Sequence, residues 1–152
     1  MFLEPTTFRT VVASTPLVSI DLLVRNQQGE VLLGQRLNRP ARGFWFVPGG
    51  RIYKQETLDS AFRRITETEL GQAYTRDQAS LLGVYEHFYE DSVFGDYPSH
   101  PDTHYVTIGY EFSLPAGCAL APDNQHGSFR WWSIEEMVQS AEVHQNTKAY
   151  LL

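Results

Sequence analysis

The sequence predicts an α/β (α+β) sandwich, with strands placed before, between and after two or three helices. Three observations lead there. Residues 17–24, 80–90 and 103–114 are rich in Val, Leu, Tyr and Phe, the composition of strands. Residues 57–71 form one amphipathic helical pattern between Thr57, a good N-cap, and Gly71, a good left-handed stop. With 152 residues and 42% hydrophobic content, the chain is long enough to bury a real core as one domain over residues 1–152.

The first strand is LVSIDLLV, residues 17–24, and a turn over 26–29 leads to a second strand over 30–36. Asp21 interrupts the apolar run. Alternation with Ser19 fits an outward-facing residue on a half-buried strand, and an acid placed for function would look the same. After loop residues 40–43, FWFV is a short aromatic strand that ends at Pro48-Gly49-Gly50. In the helix that follows, Leu58, Phe62 and Ile65 share one stripe, and at 100° per residue Glu69 falls about 20° from Leu58. An inward carboxylate must pair with a metal cation, pair with an arginine, or bend from the last turn to water.

Between the two long strands, DSVFGDYPSHPD spans 91–102, a loop length that is commonly functional or mobile in compact domains. Residues 129–132 supply a further strand. Ser133-Ile134-Glu135-Glu136 opens a helix to about Ser140 with a capping box. A final helix over 144–152 is expected to turn Val143, Ala149 and two leucines toward the body.

Net charge is −6 and no Lys/Arg run occurs, which argues against general nucleic-acid binding. Arg36, Arg39, Arg42 and Arg51 gather four of the twelve basic residues in one stretch beside a glycine turn. They are either solvated or arranged to hold phosphate oxygens. No apolar run approaches the roughly 20 residues needed to cross a bilayer, and the N-terminus lacks a secretory pattern. Cys118 is the single cysteine, so a reducing cytoplasm is the expected compartment.

Residues 50–71 resemble the Nudix hydrolase box, G-x5-E-x7-R-E-U-x-E-E-x-G-U, where U is bulky and apolar. Gly50, Glu56, Arg64, Glu69 and Gly71 match at the right spacing over 22 positions. Ile65 and Thr68 stand where two of the glutamates belong, and Gln72 replaces the last apolar residue. That departure, with GQRLNRPARGFWFVPGGR, HFYED, THYV and DNQH, resembles the Nudix branch that hydrolyses GDP-mannose.

The resemblance implies a mixed β-sheet between helices and hydrolysis of GDP-mannose, with GDP-glucose as a second substrate. Water would attack the anomeric C1 with inversion, and GDP would leave. One Mg²⁺, replaceable by Mn²⁺, would be held by the Gly49 carbonyl, Glu69 and Gln125. His126 would be the general base; an imidazole suits that task because its ordinary pKa lies near 6.5. Arg36 and Arg51 would stabilise the leaving diphosphate, and Asp21, His87 and Tyr105 would line the sugar and diphosphate pocket. Arg64 would tie the helix to its loop, and Glu56 would bond loop backbone. Family members form homodimers. A conventional pyrophosphohydrolase attacking phosphorus and a non-catalytic nucleotide-sugar sensor are the other readings. A zinc site built from His87, His100 and His104 is a further one.

Overall fold

The computed structural model describes residues 2–115 and 126–151, with His126 and Gly127 described by their backbone alone. Helix α1 (Pro5–Ser14) comes first, with proline in its opening turn, followed by strand β1 (Leu17–Arg25). Strands β2 (Val31–Arg36), β3 (Trp45–Phe46) and β4 (Gly49–Arg51) lead to helix α2 (Leu58–Leu70). Strand β5 (Ser80–Tyr89), a small hairpin of β6 (Asp91–Ser92) and β7 (Gly95–Asp96), and β8 (Thr103–Ser113) follow. The chain closes with β9 (His126–Trp132), α3 (Ile134–Gln139), α4 (Gln145–Lys148) and a 3₁₀ turn, Ala149–Leu151.

The main sheet is mixed and runs β3-β2-β1-β8-β5, with β4 pairing to β1 and β9 to β2. β1 and β8 are parallel over nine residue pairs, and the other pairings are antiparallel. Side-chain alternation along β1 divides the core in two. Ile20, Leu22 and Val24 meet Ala61, Phe62 and Ile65 of α2 on one face. Leu23 joins Leu33, Val47, Trp132, Met137 and Tyr150 on the other, beneath α3 and the C-terminal turn.

Helix α2 keeps the bounds expected from its caps. The Thr57 side chain accepts from Ser60 N–H at 3.1 Å, and Gly71 adopts φ 81° while its N–H closes on the Glu67 carbonyl. In two places the expectation is corrected. Residues 49–51 form a strand rather than a turn, and the C-terminal helix breaks into α4 and a 3₁₀ turn. That break turns Thr147 and Tyr150 inward with Val143, while Ala149 stays only half-buried. Helix α1 and the β6–β7 hairpin carried no clear periodic signal in the sequence.

Glycine is required where β4 threads between β1 and α2. A Cβ at residue 49 would lie 2.4 Å from Asp21 Oδ1 and from the Ile20 carbonyl oxygen. At residue 50 it would lie 3.2 Å from Ile65 Cγ1. Real Cβ atoms do not pack at the first distance, so close backbone approach fixes this residue type.

Candidate active site

The loop before α2 is anchored to it by side chains. Arg64 Nε donates to Glu56 Oε2 at 2.7 Å and Arg64 Nη2 to Glu56 Oε1 at 2.9 Å. Arg64 Nη2 also donates to the Arg51 carbonyl at 2.8 Å, and Tyr53 N–H donates to Glu56 Oε1 at 2.8 Å. The Arg64 guanidinium holds the Glu56 carboxyl below its ordinary pKa. Both residues therefore have the structural tasks expected of them.

Glu69 points inward, as its wheel position predicts. It is 2% exposed and, among the described residues, is the one fully buried carboxylate. Ile65 is 1% exposed and packs in the core beside Gly50, whereas Thr68 is exposed. The Pro48 and Val18 carbonyls serve the β1–β4 ladder. By strand alternation the Gly49 and Arg51 carbonyls point away from β1, and Arg64 takes that of Arg51.

A second group of predicted residues gathers on the opposite face of the sheet. Register places Ser19 beside Arg51 and Thr107, Asp21 beside Gly49 and Gly109, and Tyr105 beside His87. In-register neighbours share a face, and the 2.8 Å bond between the Ser19 and Thr107 hydroxyls confirms this one. Asp21 therefore faces the layer beneath the C-terminal turn, not open water. Burial raises its pKa to about 6, partly offset by a hydrogen bond from Tyr150 and by the charge of Arg36. The Tyr105 phenol is raised by burial and lowered by the charges of Arg36 and Arg51. Asp21, Arg36, Arg51, His87 and Tyr105 are thus one constellation.

His87 is 4% exposed, and desolvation lowers its pKa to about 4, so the ring is neutral at ordinary pH. Its Nε2 is buried with no hydrogen-bond partner among the described residues. The Arg36 guanidinium lies 5.7 Å from the Phe46 ring centre, and Arg51 lies 5.1 Å from both Phe8 and Tyr53. Arg39 is drawn elsewhere, to Asp91 at 3.7 Å and to Asp96, and Arg42 is exposed. The four-arginine stretch therefore resolves into Arg36 and Arg51 at the site.

Glu69 belongs to the α2 side of the sheet and the constellation to the other, with Gly49 at the junction. Gln125 lies outside the described residues, as do Asp123, Asn124 and Cys118. The backbone of His126 opens β9 and pairs with Arg36, which brings that position to the rim of the constellation. His87, His100 and His104 separate: His104 lies under Phe88 on the α2 face at 4.4 Å between ring centres, and His100 bonds Arg9 at 3.0 Å. Among the described residues no three His, Cys, Asp or Glu side chains gather as a metal cluster, so the zinc trio does not form.

Sequence reasoning missed Tyr89, His144 and Tyr150. His144 caps α4 by accepting from Asn146 N–H at 3.0 Å, and its ring stacks on Phe46 at 4.7 Å. Tyr89 lies 5.3 Å from His144 and 6.4 Å from Tyr105. Tyr150 Oη donates to Asp21 Oδ2 at 2.6 Å. The polar run after His144 could have signalled a cap; nothing local marks Tyr150.

Known proteins resemble this chain in family and fold. The family model described as the NUDIX domain matches residues 15–152. The low-salt glycan biosynthesis protein Agl8 of Haloferax volcanii is 43% identical over 123 residues, covering 81% of this chain and 74% of that protein. A MutT NUDIX hydrolase from Burkholderia pseudomallei superposes with a TM-score of 0.68 at 26% identity, covering 91% of this chain and 97% of the other. The MutT protein of Methanosarcina mazei gives a TM-score of 0.70 at 19% identity, over 90% of this chain and 91% of its own, a likeness of fold. The chain belongs to the NUDIX domain family and is a Nudix hydrolase.

Proposed function

We propose that this Nudix hydrolase splits GDP-mannose, and GDP-glucose, into GDP and free sugar by water attack at the anomeric C1 with inversion. One observation carries the reading: α2 buries a single carboxylate, Glu69, and fills the position of a second acid with core-packed Ile65. Attack at phosphorus by the family's usual route draws on several acids that hold divalent ions. Substitution at C1 needs less, because the diphosphate is already a good leaving group and needs no general acid. The Agl8 relative, named for glycan biosynthesis, supports a sugar-bearing substrate.

The donors present fit one hard cation. A buried carboxylate and a backbone carbonyl pointing away from its ladder are oxygen ligands of the kind Mg²⁺ takes, and Gln125 would add a third. Mg²⁺ when bound would offset negative charge on the departing diphosphate, and Mn²⁺ would serve similarly. Arg36 and Arg51 add fixed positive charge at the same place. Asp21 accepts from a sugar hydroxyl, and the neutral His87 ring offers Nε2, which has no partner among the described residues, to another polar group of the substrate. Tyr105 donates a hydrogen bond from its phenol to a phosphate oxygen and keeps its proton, since burial raises its pKa. His126 takes the proton from the attacking water.

The same reading takes the enzyme as a cytoplasmic homodimer, one domain per chain. Leu81, Val84 and Phe88, each more than half exposed on the edge strand β5, support a second copy as the partner. No helix among the described residues is long and apolar enough to cross a membrane.

Product analysis in ¹⁸O-water tests the chemistry. GDP and labelled mannose are expected. GMP with mannose 1-phosphate, or label in phosphate, would replace the proposal with pyrophosphate hydrolysis. Binding without turnover under any divalent ion would replace it with a sensor.

A further inference from the structure

Asp21 lies between two residues that lack side chains. It is in register with Gly49 on β4 and with Gly109 on β8. A Cβ at Gly109 would lie 2.9 Å from Tyr150 Cε1 and 3.2 Å from Tyr85 Cε1. The sheet therefore has a trough beside Asp21, and the Tyr150 ring fills it from the C-terminal 3₁₀ turn. Tyr150 is 6% exposed, and its ring meets Tyr85 at 4.6 Å and 74° and His87 at 5.8 Å and 70°. Packing this close leaves the ring little freedom, so the hydroxyl is held over Asp21 Oδ2 at 2.6 Å.

We propose that Tyr150 is a positioning residue that clasps Asp21 Oδ2, leaving Oδ1 aimed at a sugar hydroxyl, and that Gly109 is glycine to admit its ring. The inference rests on the assignment of Asp21 to the sugar. An untethered aspartate samples several rotamers, whereas one with an oxygen tied meets its substrate in a single orientation. Burial and the Asp21 charge raise the Tyr150 pKa far above the working range, so the hydroxyl keeps its proton and stays the donor. The tie spans 129 residues of sequence, which makes the C-terminal turn part of the site.

Tyr150→Phe is the test, since it keeps the ring and its packing and removes one hydroxyl. The kcat for sugar release is expected to fall by roughly 10- to 50-fold, with KM changed less than about threefold, because orientation rather than affinity is lost. Asp21→Ala with Tyr150→Phe should be no slower than Asp21→Ala alone, as for residues acting through one another. Gly109→Ala, which displaces the ring, should reproduce the kcat loss. Crystal structures of the wild type and Tyr150→Phe should show the Asp21 carboxylate rotated in the variant.

An unmoved Asp21 with wild-type kcat, or single-variant losses that multiply in the double variant, would overturn the clasp. If the wild type releases no mannose, the crystal readout decides alone. A rotated Asp21 then keeps the clasp and discards the GDP-sugar reading; an unmoved one discards both.

Discussion

Glu69 illustrates how a single side chain can limit the chemistry open to a site. A carboxylate at 2% exposure is costly to ionise unless positive charge or hydrogen-bond donors meet it. On the proposed reading it is the charged ligand, so Glu69→Gln keeps the shape and removes the charge. Turnover at millimolar Mg²⁺ is expected to fall by roughly 100-fold or more, read as steady-state sugar release. A rate near that of the wild type would remove Glu69 from the site. His87 makes a separate prediction about stability. Its folded pKa of about 4 lies below the unfolded value of 6.5, so the neutral ring contributes stability that is full above pH 6.5. That contribution is lost as pH falls through about 4, on the order of 3 kcal/mol in total. Asp21, raised to about 6, acts in the opposite sense over part of this window. Denaturant titrations of wild type and His87→Asn at each pH cancel the Asp21 contribution. The gap between the two curves should close from pH 7 toward pH 4.

At the scale of elements, the unit is α2 with the loop that enters it. Arg64 makes three hydrogen bonds to that loop, two to the Glu56 carboxylate and one to the carbonyl of Arg51, two residues from Gly49. The Arg64–Glu56 pair is partly exposed, at 31% and 18% of the side chains, which limits its worth. Arg64→Ala is expected to cost about 1 to 2 kcal/mol, a fall in Tm of about 3–6 °C, measured by thermal melting. Turnover should fall more than stability does, because β4 loses the strut that holds its outer edge. Much of this unit was legible in the chain itself. Thr57 and Gly71 announced both ends of α2, and the 3.6-residue period put Glu69 beneath the stripe of Leu58, Phe62 and Ile65. What was hidden was β4. Two glycines read locally as a turn, and only the approach of β1 on one side and Ile65 on the other makes them a strand.

For the molecule as a whole, the sheet is a partition. Glu69 comes from the α2 face, while Asp21, Arg36, Arg51, His87 and Tyr105 come from the other, and Gly49 lies where the two meet. The edge strand β5 ends the sheet with Leu81, Val84 and Phe88 exposed on the α2 face. If a second copy covers them, Val84→Lys should convert a dimer into a monomer in light scattering, with the melting temperature lowered as the partner is lost. An unchanged mass would place the interface elsewhere.

The sequence by itself determined the α/β sandwich, the bounds of α2, the inward acid and the family, because each is written in local periodicity, caps or a fixed spacing. Tertiary structure alone decided that Asp21 faces a buried layer rather than solvent, that Arg39 goes to Asp91 and Asp96 while Arg36 and Arg51 stay at the site, and that Tyr150 reaches Asp21. The reason is physical: a strand's alternation gives two faces without saying which is covered, and a bond between residues 129 positions apart depends on how the strands are ordered.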